Sequence, residues 1–281
     1  WRNKFIRKLI FCQHCVNFVI IVDKINALMI KKLIATLLLF SCVLTLQAQE
    51  NGKTSKFSKF GKVDLKEFET RVSGKDSASK GVKLFDVGRC YFQISAGTGN
   101  FEYVYERHVR YKVLTKSGYD LADFEIGLYR SDSKSQETME GLEASTYNLD
   151  NGKIVPSKLT KDAKFSEKHD NNWTIKKFTL PNVKEGSIVE YRYTIKSSFL
   201  YNLRDWYFQS SIPTLYSEYT VKIPEYFRYK ISPKGFFPIQ QVSPEDVNES
   251  FYIKNDRGIP ELVHASARTY KYVAEQVPAM K

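Results

Sequence analysis

Tyr103-Val104-Tyr105-Glu106-Arg107-His108-Val109-Arg110-Tyr111-Lys112-Val113 carries Tyr103, Tyr105, Val109, Tyr111 and Val113 at odd positions and Glu106, His108, Arg110 and Lys112 at even ones. Side chains of an extended chain alternate between faces, so this two-residue period predicts a strand with one buried and one solvated side. Residues 187–198 repeat it, with Val189, Tyr191, Tyr193 and Ile195 inward and Glu190, Arg192, Thr194 and Lys196 outward.

Working outward, further strands are expected over residues 119–129, 142–149, 153–155, 173–180, 216–223, 226–231 and 251–254. The punctuation between them is Ser117-Gly118, Asp150-Asn151-Gly152, Pro181, Pro224 and Pro233-Lys234-Gly235. Asn-Gly between apolar runs is the strongest short hairpin signal, because both turn residues must take positive φ. Asp76-Ser77-Ala78-Ser79 offers an N-cap for a short helix with Val82, Leu84 and Phe85 on one face, ending near Gly88. The 18 Tyr and 19 Phe, against 3 Met, favour pleated, half-buried surfaces. There is no βαβ rhythm and no repeat of fixed period. The expected fold is therefore all-β: an antiparallel β-sandwich over residues 76–258 with a short helix near its start. Residues 50–75, polar and Lys/Ser-rich, read as a linker or loosely docked arm, and residues 259–281 as a linker.

The N-terminal stretch reads as an export leader. Met29-Ile30-Lys31-Lys32, the apolar run of residues 33–46 and Gln47-Ala48-Gln49 match the three regions of a signal peptide over residues 29–49, with cleavage after Ala48 or Gln49. The run is too short, and too soon followed by Glu50-Asn51-Gly52-Lys53, for a stable membrane span once cleaved. The rival reading, a lipoprotein cysteine at Cys42, fits less well because bulky Phe40 precedes it and apolar residues follow. Residues 1–28 read as upstream sequence or a misplaced start. Cys12-Gln13-His14-Cys15 within them resembles half a zinc site, with no second pair at zinc-finger spacing. The expected location is periplasmic or extracellular.

The formal charge of +12 suggests nucleic acid at first sight. Removing residues 1–49 takes away seven basic residues and one acid and leaves +6. These charges are interspersed along strands and turns, with no Lys/Arg block, so a mildly basic solvated surface is the better reading and no nucleic-acid partner is expected.

Chemistry is sparse. Cys90 is the one thiol after the leader; it forms no internal disulfide and, lacking a helix N-terminus or a paired base, reads as a buried inert cysteine. His108, His169 and His264 fall at no metal-ligand spacing. Gly97-Thr98-Gly99 is too short to cradle a phosphate, so no cofactor is expected. One cluster invites a ligand. In Arg204-Asp205-Trp206-Tyr207, aromatic rings beside a charged pair could stack on a sugar or clamp a peptide. The plainer reading is a core Trp with a local Arg–Asp pair, and it is preferred.

Several stretches carry a family resemblance. Residues 178–193 (FTLPNVKEGSIVEYRY), then Asp205-Trp206-Tyr207-Phe208-Gln209, Ile212-Pro213, Ser217-Glu218-Tyr219 and Ile223-Pro224-Glu225-Tyr226 resemble the domain-of-unknown-function 3857 family in order and type. So does Thr146-Tyr147-Asn148-Leu149 ahead of Gly152-Lys153-Ile154-Val155. The likeness spans roughly residues 57–280. It implies a β-sandwich preceding a transglutaminase-like core with a papain-type Cys-His-Asp triad, in an exported protein of a Gram-negative bacterium. No triad residue maps onto this chain. The expected role is thus a non-catalytic N-terminal domain that positions or shields that core, its partner in the same polypeptide. The alternative is a stand-alone glycan- or peptide-binding sandwich.

Overall fold

The structure, a computed structural model, describes residues 59–132, 135–235, 237–254 and 257–280. The leader, Cys12, His14, Cys15 and Cys42, and the first part of the expected arm lie outside the described residues.

The described residues form β1 (Gly81–Ile94), β2 (Phe101–Val113), β3 (Asp123–Tyr129), β4 (Thr138–Asp150), β5 (Lys153–Lys158) and β6 (Lys164–Lys168). They continue through β7 (Trp173–Thr179), β8 (Ile188–Ser197), β9 (Thr214–Pro224), β10 (Gln240–Lys254) and β11 (Pro260–Val277). Eight strands make one sheet in the order β10-β11-β9-β1-β2-β8-β4-β5, and three make a second in the order β3-β7-β6. Neighbours are antiparallel apart from β1 and β9, which run parallel. The all-β sandwich expected from the alternation is the fold observed.

The sheets pack through aromatic residues of the predicted inward parity. Phe124 of β3 stacks on Tyr191 of β8 at 4.0 Å and on Phe178 of β7 at 5.0 Å. Tyr103, Tyr105 and Val109 of β2 and Tyr193 and Ile195 of β8 are buried in the same layer. Each such side chain removes about 1.5–3 kcal/mol of apolar surface from water, which is the driving term. A bulge at Lys83/Phe85 shifts the register of β1, so that Asp86, Gly88, Cys90 and Phe92 follow on the side facing this core. The β4–β5 hairpin turns on Asn151 (φ 48°) and Gly152 (φ 76°), and Asp150 pairs with Lys153, as the Asn-Gly signal requires.

The other face of the large sheet is not solvated. The arm, including α1 (Leu65–Glu69), lies across it: Val63, Phe68 and Val72 pack on the cluster of Val82, Phe85, Tyr147 and Ile188. Asp64 caps α1 through the Lys66 N–H, and Glu67 reaches back to the Asp64 N–H. Glu190 is fully buried, Arg110 and Lys112 nearly so. The expected wet side of β2 and β8 is therefore corrected for these three residues, because a covering segment distant in sequence supplies their partners.

Other expectations are corrected too. Residues 76–88 do not form a helix. Val82, Leu84 and Phe85 lie in β1, where the buried sheet environment overrides local propensity, and the helix sits earlier, at α1. Residues 116–122 form a 3-10 turn before β3, and residues 226–231 lie outside the strands. The stretch 259–281 is mainly β11, paired on both sides with β9 and β10, so it belongs to the sheet and not to a linker. Likewise β10 begins at Gln240, well before residue 251.

Candidate functional site

The four residues singled out in sequence divide between core and surface. Trp206 lies against β1 and β9. Its indole stacks on Tyr219 (4.9 Å, interplanar 5°), its Nε1–H donates to Ser217 Oγ at 3.1 Å, and the Arg107 guanidinium sits 5.4 Å from its ring centre. Gly88 makes room for it, since a Cβ there would come within 2.2 Å of the ring. Arg204 does not pair with Asp205: it donates to the Gly127 carbonyl at 2.7 Å and forms an ion pair with buried Glu137. Asp205 is exposed, and Tyr207 is 71% exposed. The plainer reading of the cluster describes Trp206, but its local Arg–Asp pair is corrected, because Glu137, distant in sequence, takes Arg204 instead; Arg204 and Trp206 anchor the loop between β8 and β9.

Glu137 is a buried hub that sequence reasoning missed. It accepts from Tyr103 Oη at 2.9 Å and from the Tyr129 N–H at 2.9 Å, besides Arg204. Burial, followed by the Glu137 charge, pushes the Tyr103 phenol up. Burial would lower Arg204, but the charge and hydrogen bond of Glu137, together with Tyr103 and Tyr193, outweigh it and hold the guanidinium above its ordinary value. A cleft of about 480 Å³ opens beside Glu137 between β3, β4, β6 and β7, and Arg130 lines it.

Two further charged groups are built into the large sheet. On the aromatic side, Asp86 is fully buried and takes Lys83 at 2.8 Å and a two-point contact from Arg107 at 2.7 and 2.8 Å. Burial pushes its carboxyl up, yet Arg107 and Lys83 more than reverse this and leave it below the usual value. On the arm side, Glu190 accepts from Arg110 at 2.6 Å and from the Gly61 N–H at 3.1 Å, with His108 Nε2 at 2.7 Å. Arg110 also reaches Glu67 at 2.7 and 2.8 Å, and Lys112 donates to the Phe68 and Thr70 carbonyls. Burial opposes ionisation of Glu190, but His108 and Arg110 together hold its carboxyl below the usual value. One sequence signal does mark Asp86: a lone carboxylate in the apolar run Val82-Lys83-Leu84-Phe85-Asp86-Val87 must find a partner if the run is buried.

Burial pushes the Cys90 thiol up to about 12, so at neutral pH it is a protonated thiol beside Tyr219 and not a nucleophile. His169 is exposed, and His264 bonds Ser250 Oγ at 2.8 Å. Among the described residues no three His, Cys, Asp or Glu side chains group as a metal site, and no helix is long and apolar enough to cross a membrane.

The chain's last described residues are tied to the anchored loop. Past β11, the Pro278 carbonyl accepts from Gln209 Nε2 at 3.1 Å and the Met280 N–H donates to the Ser210 carbonyl at 2.8 Å. The Ala279 N–H donates to Asp76 Oδ2 at 3.4 Å. Trp206 and Arg204 thus fix a loop whose next residues clasp the segment leaving the sheet.

The fold and these charged cores define a two-sheet β-sandwich domain. Residues 99–252 match the family described as a domain of unknown function with a solved structure, DUF3857, and the chain belongs to that family. Among solved structures it is similar to a "putative protease" from Parabacteroides distasonis, at 14% identity and a TM-score of 0.47 over 73% of this chain. This chain spans 37% of the length of that protein. Among curated proteins nothing matches the chain.

Proposed function

We propose that this chain is the non-catalytic sandwich part of an exported transglutaminase-like protein, and that it holds the core attached beyond residue 280 in a set orientation. Family membership supports the context. The observation that carries the role is the clasp on residues 278–280 by Gln209, Ser210 and Asp76. A segment leaving a strand paired on both sides and then bonded at three successive residues transmits the orientation of the sheet to whatever follows it. A free linker would not.

The test uses the polypeptide continued through its coding sequence past residue 281. That sequence is expected to encode Cys, His and Asp in a transglutaminase-like core. Small-angle scattering is expected to give a single compact envelope that broadens in the double variant Gln209→Ala, Asp76→Ala while the sandwich keeps its Tm within a few degrees. A downstream sequence without such a core, or an envelope indifferent to the double variant, overturns the proposal.

A further inference from the structure

Ladder pairing shows which residues of the small sheet share the face turned towards the large one. Phe124, Phe178 and Lys164 are level with one another, and so are Ile126, Lys176 and Ser166. Residues opposite one another in a ladder point the same way, as does every second residue along a strand. Lys164, Lys176 and Arg130, two residues past Leu128, therefore carry charge on the parity of the aromatic core. All three line the cleft of about 480 Å³, a volume in the ordinary range for ligand sites, and Met139 and Leu142 of β4 form its opposite wall.

The inner faces of a sandwich are normally apolar, and a cation placed there normally has a counter-charge. These three have none among the described residues. Lys176 donates to Ser166 Oγ at 3.0 Å, while Arg130 and Lys164 bond to no side chain. The carboxylates around the cleft are taken elsewhere: Glu137 by Arg204, Glu140 by Lys196, Glu143 by Arg192, and Glu125 and Glu167 by Lys177. Lys164 is exposed and Arg130 and Lys176 are half-buried, so a ligand can reach all three. The cleft also has an open side, since β5 pairs with β4 only from Ser145 onward and β6 pairs only with β7.

The spacing of the cations selects the ligand. Counted along the ladder, Lys176 lies two residues from Lys164, and Arg130 four residues beyond Lys176. At about 3.3 Å per residue these offsets are about 7 and 13 Å. Carboxylates at alternate positions of an extended chain recur at the same interval of about 7 Å, and the residues between them face the other way, towards Met139 and Leu142. A single anionic head cannot meet cations spread over about 20 Å. An acidic polysaccharide has carboxylates but no apolar side chains for the opposite wall.

We propose that this cleft binds an extended acidic peptide in which Asp or Glu alternates with apolar residues. Its carboxylates face Lys164, Lys176 and Arg130, and its apolar side chains rest on Met139 and Leu142. Complementary charge selects the partner and apolar contact adds affinity. The cleft is remote from the clasp, and this binding does not rest on the presence of a transglutaminase-like core.

The probe is acetyl-Glu-Val-Glu-Val-Glu-Val-Glu-amide, titrated calorimetrically into the intact chain at low ionic strength. Saturable one-site binding with Kd below about 1 mM is expected. The same composition in block order, Glu-Glu-Glu-Glu-Val-Val-Val, should bind about tenfold more weakly or worse, and the Lys-Val counterpart should not bind. In the double variant Lys164→Gln, Lys176→Gln the alternating peptide should also lose about tenfold or more, with the Tm kept within a few degrees. No saturation at about 1 mM, or equal binding of the block peptide, overturns the proposal. So does equal binding of tetragalacturonate, which would make the cleft a site for acidic glycans, or undiminished affinity in the double variant. The comparison between peptides changes only the ligand, so it decides the matter even where the variant folds poorly.

Discussion

The large sheet has two faces, buried by different means. On one, Tyr105, Tyr191, Tyr193 and Phe124 meet the second sheet as an aromatic layer that encloses two ionic groups, Asp86 with Lys83 and Arg107, and Glu137 with Arg204. On the other, Glu190, His108, Arg110, Lys112 and Glu67 form a bonded charged layer roofed by the arm and α1. The aromatic face gains from apolar area and depends on shape. The charged face depends on completeness, because each buried ion is tolerable only while its partners are present. The same alternation in sequence therefore underlies two cores with different failure modes.

The comparison breaks most severely at Glu190. Glu190→Ala leaves Arg110 and His108 facing one another without their shared acceptor, and a loss of about 3–5 kcal/mol in urea unfolding is expected. A loss below about 1 kcal/mol would mean that the charged layer behaves like exposed surface pairs. Next comes shape on the aromatic face. Gly88→Ala drives a methyl into the Trp206 ring, and an overpacking cost of about 1–3 kcal/mol is expected, accompanied by a shift in tryptophan fluorescence. Unchanged stability and emission would show that the indole has room to move.

The gentlest probe is pH. The Glu190 carboxyl is held below its ordinary value in the folded protein, so its stabilisation is fully present above the unfolded value of about 4.3 and is lost as pH falls through the folded one. Because Glu190 also accepts from Gly61, hydrogen exchange should show the arm amides losing protection under acid conditions while those of β8 persist. Simultaneous loss in both would mean that the arm is not held through Glu190.

Much of the sandwich was legible because a strand half-buried against another sheet must alternate. Residues 103–113 and 187–198 do so plainly, and Asn151-Gly152 marks the β4–β5 hairpin by its demand for positive φ. β1 was not legible: Val82, Leu84 and Phe85 suit a helix face as well as a bulged strand, and the bulge scrambles the period. β11 was missed because its alternation is weak and much of it is exposed. At the candidate sites, Trp206 and Arg204 were visible by residue type, but not Glu137, whose partners Tyr103, Tyr129 and Arg204 are brought to it only by three different elements.

By itself, the order of residues determined the all-β class, the inward parity of β2 and β8, and the family to which the chain belongs, since these rest on local geometry and short motifs. Only the tertiary structure decided that the charged parity is covered as well, that residues 260–277 join the sheet, and that Arg130, Lys164 and Lys176 line one cleft. Burial and pairing are made between segments far apart along the chain. The electrostatic consequence of a charge depends on which segment arrives to cover it.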